Sequence, residues 1–327
     1  MTPQRILVVQ LRRIGDVILT LPALAALQRR YPDADLDFLV EAPSAEAVVA
    51  SKIPHEVLIY TGKSLFSALR WIGVVRSRRY DLVVDFMGNP RTALLTAFSG
   101  AARRAGPGHV FHRWAYNVKL PQSPQTVYAA REKVRMLEPL GIADEPQALP
   151  VIASWSGRRP IANRIGFFPA SRKITRQWPA DKYAELGRLL RDKIGAEIVV
   201  FWGGAERRLA ESVVKEIGQG ATLSAKTDTL SSLAEGLSKC RLVVTNCAGP
   251  KHLAVAIGVP TLTIHSSSDP LAWTPSGNPL HAAVRREELH CIGCMRNACP
   301  YKLECLKGLE TSRVFEAALN VLGKVPA

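Results

Sequence analysis

The stretch Ile6-Leu-Val-Val-Gln-Leu-Arg-Arg-Ile-Gly-Asp16 indicates which fold the chain adopts. Residues 6–11 form a short, largely apolar run, as in a strand that is covered on both faces. A loop with Gly15 follows, and Thr20 and Pro22 mark the start of a helix. A buried strand, a glycine turn and a helix in this order are typical of a doubly wound α/β sheet.

The same alternation continues along the chain and restarts in its second half. The predicted strands are residues 6–11, 36–40, 57–60, 82–86, 165–168, 197–202, 242–245 and 261–265. The predicted helices are residues 22–31, 45–51, 64–79, 91–99, 126–140, 181–193, 205–217, 230–238, 249–257 and 312–322. Two successive series of βα units predict an α/β fold of two doubly wound, Rossmann-like domains that face a cleft.

Residues 144–160 separate the two series. They contain three prolines and no sustained hydrophobic period, which is the composition of a linker. We therefore expect one domain at residues 1–155 and another at residues 156–327, each binding ligands beyond the carboxyl ends of its strands.

The composition excludes several classes of protein. Of the 327 residues, 47% are hydrophobic and 22% are charged, which excludes disordered and fibrous chains. No apolar stretch approaches the ~18–20 residues of a membrane span and no signal-like segment opens the chain, so we expect a cytoplasmic protein. The net charge of +15 suits an anionic partner or membrane surface. Nucleic acid is a weaker candidate, because the sequence has no zinc-finger spacing and no RNP-like run.

The loop after the first predicted strand carries Asp16 next to Arg12 and Arg13. A carboxylate at this place could act as a general base or bind a hydroxyl, and the arginines would suit an anionic ligand. The alternative is that Asp16 caps the following helix and that both arginines are solvated.

A second strand-end loop carries Ser171, Thr175 and Arg176 beside two further basic side chains. Hydroxyl and guanidinium groups together supply the hydrogen-bond donors that a phosphate or pyrophosphate requires. The alternative is an exposed basic loop without a ligand.

Two more loops of the second half have the residues of a nucleotide site. The backbone N–H groups that open the helix at Gly249 attract anions. Candidate contacts to an anionic ligand are therefore Gly249, Pro250, Lys251 and His252. Glu206 follows a glycine turn and could accept ribose hydroxyls. An ordinary helix histidine is the alternative for His252. Together these loops predict a nucleotide diphosphate in the second half and an acceptor in the first.

Four closely spaced cysteines lie near the end of the chain, at positions Cys291, Cys294, Cys299 and Cys305. In a chain without a signal peptide this clustering indicates a metal or redox role. The spacing fits no standard zinc or iron–sulfur motif, so reduced or adventitiously paired structural cysteines are the alternative.

Five segments carry a specific likeness to known proteins: residues 6–24, Val84-Asp-Phe-Met-Gly-Asn-Pro-Arg91, Arg176-Gln-Trp-Pro179, Thr245-Asn-Cys-Ala-Gly-Pro-Lys-His252 and Ser268-Asp-Pro270. With them the chain resembles the ADP-heptose:lipopolysaccharide heptosyltransferase family, which are inverting glycosyltransferases of the two-Rossmann-domain (GT-B) type. The Arg-Ile-Gly-Asp segment and the later Gly-Pro-Lys-His segment are the most specific pair.

The resemblance implies transfer of a heptose or related sugar from an ADP-sugar to an inner-core lipopolysaccharide acceptor. It implies that Asp16 is the general base, that Ser171 and Arg176 bind the donor phosphates, and that Gly249 with His252 stabilises the leaving pyrophosphate. No metal or other cofactor is required by that chemistry, because cationic side chains and helix N-termini offset the departing charge.

The expected partners follow from the same resemblance. They are the nucleotide-sugar donor, an anionic lipopolysaccharide-core acceptor and the inner-membrane surface, with no nucleic acid. The enzyme would be peripheral, on the cytoplasmic face of the inner membrane. Arg91 joins Arg12 and Arg13 as a candidate acceptor contact in the first half.

One departure from the family concerns the donor sugar. Family members commonly have Asp where this chain has Cys247, and Ser or Thr where it has Ala248. A thiol accepts hydrogen bonds poorly, so a carboxylate contact to sugar hydroxyls is lost. The chain could therefore use a different ADP-sugar, or bind nucleotide or saccharide without catalysis.

Overall fold

The computed structural model describes residues 2–62, 64–157 and 160–325. The chain divides into two compact units, Met1–Ser154 and Trp155–Ala327. Arg158 and Arg159, which belong to the predicted linker, lie outside the described residues.

The first unit is built on a sheet of six parallel strands with the spatial order β3-β2-β1-β4-β5-β6. The strands are β1 (Arg5–Val9), β2 (Asp35–Glu41), β3 (Glu56–Tyr60), β4 (Leu82–Asp85), β5 (Arg103–Pro107) and β6 (Val118–Leu120). The α-helices described in this unit are α1 (Ile14–Ile18), α2 (Leu21–Arg30), α3 (Ala42–Ser51), α4 (Leu65–Ser77), α5 (Pro90–Ala97) and α6 (Ala129–Arg135).

The second unit repeats this plan with another sheet of six parallel strands, in the order β12-β11-β10-β7-β8-β9. The strands are β7 (Arg164–Phe168), β8 (Glu197–Val200), β9 (Ala221–Leu223), β10 (Leu242–Asn246), β11 (Thr261–Ile264) and β12 (His281–Val284). The α-helices described here are α7 (Ala180–Ile194), α8 (Arg207–Ile217), α9 (Leu230–Ser238), α10 (Gly249–Ala256), α11 (Pro270–Trp273), α12 (Glu304–Lys307) and α13 (Thr311–Leu322).

Burial of the central strand β1 agrees with the parallel pairing of its sheet. Ile6, Leu7, Val8 and Val9 of β1 are all fully buried. Since successive strand residues point to opposite faces, both faces of the sheet are covered, as helical crossovers require. The predicted α/β class with two doubly wound domains is confirmed.

Some short elements were missed and one helix was predicted wrongly. The sequence Arg-Arg-Ala-Gly-Pro of β5 has no apolar run, and β6, β9 and β12 are only three or four residues long. The predicted helix over residues 126–140 is instead α6 followed by a 3-10 turn, Glu138–Leu140. Pro139 lies in that turn, and proline cannot donate the backbone hydrogen bond that would continue an α-helix.

Both sheets have the same point of reversal. In the first unit the chain steps outward from β1 to β3, then returns beside β1 with β4; β10 returns beside β7 in the second unit. Loops at the carboxyl ends of such neighbouring strands diverge to opposite faces and leave a crevice, where ligands bind in this class of sheet.

A close contact in the first sheet predicts the effect of a glycine substitution. A Cβ on Gly106 of β5 would lie 2.3 Å from the ring of Tyr116, and that ring is held by a 2.7 Å hydrogen bond to buried Asp85. We expect Gly106→Ala to lower the free energy of unfolding by ~1–3 kcal/mol. Gly73→Ala is the matched control, because Gly73 lies in α4 with nothing within 4 Å of its Cβ position.

Chemical unfolding of the three proteins measures this difference. The control should gain ~0.5–1 kcal/mol from the better helix propensity of alanine. Equal stability of Gly106→Ala and the unaltered protein would show that Tyr116 moves aside at no cost.

Candidate functional site

A cavity of about 400 Å³ lies beyond the carboxyl ends of β1 and β4, at the point of reversal of the first sheet. Its walls come from the loop after β1, helix α1, the loop after β4 and helix α6. The lining residues are Gln10, Arg12, Arg13, Asp16, Phe86, Met87 and Lys133.

Asp16 is both a helix-capping residue and a cavity residue. It is the third residue of α1, and its Oδ2 accepts a 3.4 Å hydrogen bond from the backbone N–H of Arg13. A carboxylate has about four lone-pair sites on two oxygens, so one long hydrogen bond leaves acceptor capacity for a ligand. The side chain is half-buried and lines the cavity, so the two interpretations of the sequence are compatible.

The three arginines predicted to bind the acceptor are not all in one place. Arg12 and Arg13 are exposed and line the cavity with Asp16. Arg91, in the first turn of α5, is not among the lining residues that the structure describes; it pairs with Glu41 at 3.5 Å and lies over the ring of Tyr60.

Sequence reasoning missed Lys133 and Gln10. The Nζ of Lys133 donates to Oε1 of Gln10 at 3.1 Å, and Nε2 of Gln10 donates to the carbonyl of Arg12 at 2.6 Å. These two contacts fix the loop that leads to Asp16. The sequence does mark Gln10 as unusual, because it is the polar residue in the apolar run of residues 6–11. It does not mark Lys133, which is one of several charged residues in its helix.

Burial of Lys133 changes its protonation. Loss of hydration lowers the pKa of its ammonium group to about 8, although the charges of Asp16 and Asp85 oppose this shift. The ammonium also lies 5.0 Å from the centre of the Phe86 ring. The cavity therefore contains a cation whose charge changes near neutral pH.

Asp85 is a second carboxylate near the cavity, but it supports the loop after β4. It is fully buried, and it accepts hydrogen bonds from the Tyr116 hydroxyl and from the N–H groups of Met87 and Gly88. Burial raises its pKa. With its oxygens occupied by the protein, Asp85 positions Met87 in the cavity wall.

In the second unit, Asn246 joins the two loops at the point of reversal. This fully buried side chain accepts the backbone N–H of Trp178 at 3.0 Å and donates to the carbonyl of Pro169 at 2.7 Å. The loop after β7 and the loop after β10 are thus held side by side. They carry most of the predicted donor-binding residues.

Ser171 and Arg176, the predicted phosphate contacts, both lie in the loop after β7. Ser171 is half-buried, and its backbone is held by Oε1 of Gln177 at 3.1 Å. The Nε of Arg176 is buried and has no hydrogen-bond partner among the described residues. A buried guanidinium nitrogen without a partner is costly unless a ligand satisfies it.

The structure argues against the predicted donor contact of Thr175. Its hydroxyl donates to the carbonyl of Arg296 at 2.9 Å, and its own carbonyl accepts from the Ser266 hydroxyl at 2.6 Å. A hydroxyl has one proton to donate, and the side chain is buried. Thr175 therefore ties the loop after β7 to its neighbours.

Helix α10 begins without a side-chain cap. Its N-cap residue is Ala248, which has no group that could accept the first backbone N–H groups, and Pro250 occupies the first turn. The helix starts at Gly249, so its positive end remains open to an anion.

Lys251 points inward, contrary to its predicted role as a donor contact. Its ammonium is fully buried; it donates to the carbonyl of Trp273 and lies 3.8 Å from the Sγ of Cys247. Burial lowers its pKa, whereas the Cys247 thiol raises it. Position 247 is thus paired with an amine one helical turn further on.

His252 is buried and neutral. Burial, and then the charge of Lys251, hold its pKa well below the usual value. Its Nδ1 has no partner among the described residues, so it is not the satisfied helix histidine of the alternative interpretation. A neutral imidazole can donate one hydrogen bond to an anion without bringing a charge.

Glu206 lies just beyond the end of β8, the neighbour of β7. It is half-buried; burial raises its pKa, and a hydrogen bond with the backbone of Gly203 opposes this shift. Its contact to ribose hydroxyls stays a prediction.

The four clustered cysteines are free thiols. Burial, and then the neighbouring cysteines, raise the pKa of Cys305 to about 11. Within residues 2–62, 64–157 and 160–325, no three His, Cys, Asp or Glu side chains are grouped so that they could hold a metal ion. In the same ranges no helix has the length and apolarity needed to span a membrane.

Comparisons with known proteins identify a family. Residues 69–304 match the family model of glycosyltransferase family 9 (heptosyltransferase). The chain is 28% identical over 331 residues to lipopolysaccharide heptosyltransferase 1 of Pseudomonas aeruginosa, with 91% of this chain and 88% of that protein covered.

Solved structures show the same fold. A family 9 glycosyltransferase from Veillonella parvula is 23% identical, with a TM-score of 0.82 over 98% of this chain and 97% of that one. Escherichia coli heptosyltransferase WaaC, solved with ADP, is 20% identical, with a TM-score of 0.78 over 97% of this chain and 99% of that one. The chain therefore has the GT-B class of fold that its resemblance implies.

Lys133 predicts a pH dependence of stability. The unfolded side chain keeps its proton up to pH ~10.5, whereas the folded side chain loses it near pH 8. Between these values the unfolded state binds more protons, so the free energy of unfolding rises with pH by at most ~1.4 kcal/mol per pH unit. Lys133→Met should remove this rise.

Urea unfolding from about pH 7 to about pH 10 measures the difference between the variant and the unaltered protein. Lys52→Met, at an exposed position, is the control and should keep the original slope. Parallel curves for all three proteins would show that Lys133 titrates like an ordinary surface lysine.

Proposed function

As a member of glycosyltransferase family 9 the chain is a glycosyltransferase, and we propose that it transfers a heptose or a related sugar from an ADP-sugar to an inner-core lipopolysaccharide acceptor. The observation that carries this proposal is the cavity at the end of β1, where Asp16 lies with Arg12 and Arg13. Its relatives support the substrate class: one is named a lipopolysaccharide heptosyltransferase and another was solved with ADP.

Asp16 is the general base in this proposal. As the acceptor hydroxyl attacks the anomeric carbon from the face opposite ADP, Asp16 takes its proton, and the bond from that carbon to the ADP oxygen breaks. The configuration at the anomeric carbon is inverted. The half-buried position of Asp16 in an open cavity allows an acceptor hydroxyl to reach it.

The acceptor binds in the first unit, which we assign to residues 1–155. Arg12 and Arg13 face the cavity and pair with the phosphates or carboxylates of an anionic core saccharide. Lys133 adds a further positive charge at the cavity wall when it is protonated. Arg91 stays a predicted acceptor contact, which would have to exchange Glu41 for the ligand.

The donor binds in the second unit, residues 156–327. Ser171 and Arg176 bind the phosphates, and the open N-terminus of α10 at Gly249 and Pro250 faces the pyrophosphate. Neutral His252 donates a hydrogen bond to the leaving ADP. Glu206 accepts the ribose hydroxyls. Buried Lys251 does not contact the donor and attracts its phosphates only at longer range, through its positive charge.

The identity of the donor sugar depends on Cys247. In this chain position 247 is a thiol, and it contacts the ammonium of Lys251. No carboxylate is therefore available at this position to accept hydrogen bonds from sugar hydroxyls. We propose that the enzyme uses an ADP-sugar other than the usual heptose, or selects less strictly among ADP-sugars. A nucleotide-binding relative without catalysis is the second candidate, favoured by the same departure.

We place the enzyme on the cytoplasmic face of the inner membrane as a peripheral protein. The net charge of +15 supports attraction to an anionic membrane surface and to an anionic acceptor.

Substitution of Asp16 tests the proposed base. Asp16→Asn should lower kcat by ~10²–10⁴-fold, because the amide cannot take the proton, while ADP binding stays unchanged. Asp33→Asn, at an exposed position of the same unit, is the control. The measurement is ADP release with a core saccharide acceptor and an ADP-sugar.

Two results would contradict this assignment. Near-normal turnover of Asp16→Asn would remove Asp16 from the catalytic role. If the unaltered protein binds ADP but releases none from any ADP-sugar, it is the non-catalytic relative.

Paired arginine variants test the separation of donor and acceptor. Arg176→Ala should weaken ADP binding by ~10–100-fold, the cost of one charge-assisted hydrogen bond. Arg13→Ala should raise the KM for the acceptor and leave the Kd of ADP unchanged. Calorimetry with ADP and steady-state kinetics measure both.

Arg172→Ala is the control for the donor loop, because Arg172 is exposed. Unchanged ADP binding in Arg176→Ala would show that this loop has been wrongly assigned.

A change of donor preference tests the role of Cys247. Cys247→Asp alone should have little effect, because the new carboxylate would pair with the ammonium of Lys251. The double variant Cys247→Asp/Lys251→Ala frees that carboxylate and should raise the preference for ADP-heptose over other ADP-sugars. The ratio of kcat/KM values measures this preference; strict ADP-heptose selectivity in all three proteins would show that position 247 does not set specificity.

A further inference from the structure

Four large apolar side chains of the first unit are exposed within a short length of chain. Leu94 and Phe98 lie in and just after α5, with 37% and 53% of their surface exposed. Phe111 and Trp114 lie in the connection from β5 to β6, with 89% and 58% exposed. Isolated exposed apolar residues are common, but several together indicate an interaction surface.

The two segments that carry these four side chains lie side by side, because α5 packs against the connection from β5 to β6. The contact between the two segments is formed by Ala93, Ala97, Val110, Ala115 and the ring of Tyr116. In sequence, Leu94 and Phe98 each directly follow an alanine that α5 contributes to this contact. Phe111 and Trp114 are each the direct neighbour of a residue that the β5–β6 connection contributes. We call Leu94, Phe98, Phe111 and Trp114 the apolar patch.

The chain around the apolar patch is positively charged. No Asp or Glu occurs between Asp85 and Glu132, whereas six Lys and Arg residues do. Arg113 and Lys119 are exposed next to the patch in sequence, and no ion pair of the described residues involves either of them. The surface therefore combines exposed aromatic rings with unneutralised cations.

We infer that the apolar patch, with Arg113 and Lys119, binds the surface of a bilayer that contains anionic phospholipids. Trp114 and Phe111 would enter the headgroup region, where amphipathic aromatic side chains concentrate. Arg113 and Lys119 would pair with lipid phosphates. This inference deepens the proposed function, since it names the surface that meets the membrane that holds the acceptor.

A second copy of the chain fits this surface less well. In a symmetric dimer the same patch lies on both sides of the interface. An acid-free, positively charged segment would then face an identical one, and like charges across an interface disfavour association. An anionic bilayer has the opposite charge and requires no complementary shape.

The location of the patch suits delivery of a lipid-linked acceptor. Met87 lines the cavity of Asp16, and α5 begins only three residues later, at Pro90. At 1.5 Å per residue, an eight-residue helix is ~12 Å long. Leu94 and Phe98 thus lie within about one short helix of the cavity wall.

Vesicle flotation tests the inference with the full-length protein. The vesicles are phosphatidylcholine alone, or phosphatidylcholine with about one third phosphatidylglycerol. The unaltered protein should float with the anionic vesicles. It should dissociate from them at high salt, because salt screens the attraction between charges. Phe111→Ser/Trp114→Ser and Arg113→Glu/Lys119→Glu should each reduce the bound fraction by roughly tenfold or more.

Control variants lie on another exposed helix of the same unit. Leu69→Ser and Arg70→Glu, both on α4 and exposed, repeat the chemical changes away from the patch and should bind as the unaltered protein does. Thermal unfolding shows that each variant is folded. Unchanged flotation of both patch variants would overturn the inference, as would sedimentation showing a dimer that only the patch variants dissociate.

A second readout separates this inference from the proposed function. With a water-soluble, deacylated core saccharide, the patch variants should keep the unaltered rate of transfer, because the cavity of Asp16 is intact. Loss of soluble transfer in folded patch variants would assign the patch to the acceptor site and overturn the membrane role. Patch-dependent flotation by a protein that transfers no sugar would uphold the inference while the proposed function fails.

Discussion

The parallel pairing of β1 with β4 and of β7 with β10 is the constraint on which both candidate sites depend. Parallel strands must be joined by crossovers, and the crossovers cover both faces of the sheet. Where the direction of winding reverses, two loops diverge beyond the strand ends and leave a polar crevice. The apolar strands therefore fix where polar chemistry is possible in each unit.

Buried polar side chains then set the shape of these crevices. Asn246 holds the loops after β7 and β10 together, and Asp85 holds the loop after β4 through Tyr116 and two backbone N–H groups. Gln10 and Lys133 do the same for the loop that leads to Asp16. Satisfied buried hydrogen bonds make a loop rigid, because breaking them leaves an unpaired polar group. Such rigidity keeps the ligand-facing groups in place before the ligand binds.

The sequence predicts the frame of the molecule better than its site. Apolar runs such as residues 6–11 mark buried strands because burial on both faces demands apolar side chains. Strand β5 gives no such signal, since its neighbours hold it in place. The sequence predicts Asp16 as a site residue from its position after a strand. The structure adds that its side chain lines a cavity.

Side-chain direction is what the sequence could not supply. Lys251 lies in the first turn of α10 and Thr175 in the loop after β7, near where the sequence predicts ligand contacts, yet both side chains are engaged within the protein. Lys133 lies far along the chain from Gln10 and meets it only in the folded state. These contacts depend on tertiary packing, which neither composition nor spacing encodes.

We propose that ligands bind at the reversal of each sheet, with the nucleotide in the second unit and the acceptor in the first. Hydrogen exchange of the backbone amides, with and without saturating ADP, tests it most directly. We expect slower exchange in residues 169–179 and 247–252 on adding ADP, and unchanged exchange in residues 10–16 until a core saccharide is also present. Protection of residues 10–16 by ADP alone, with none after β7 or β10, would contradict it.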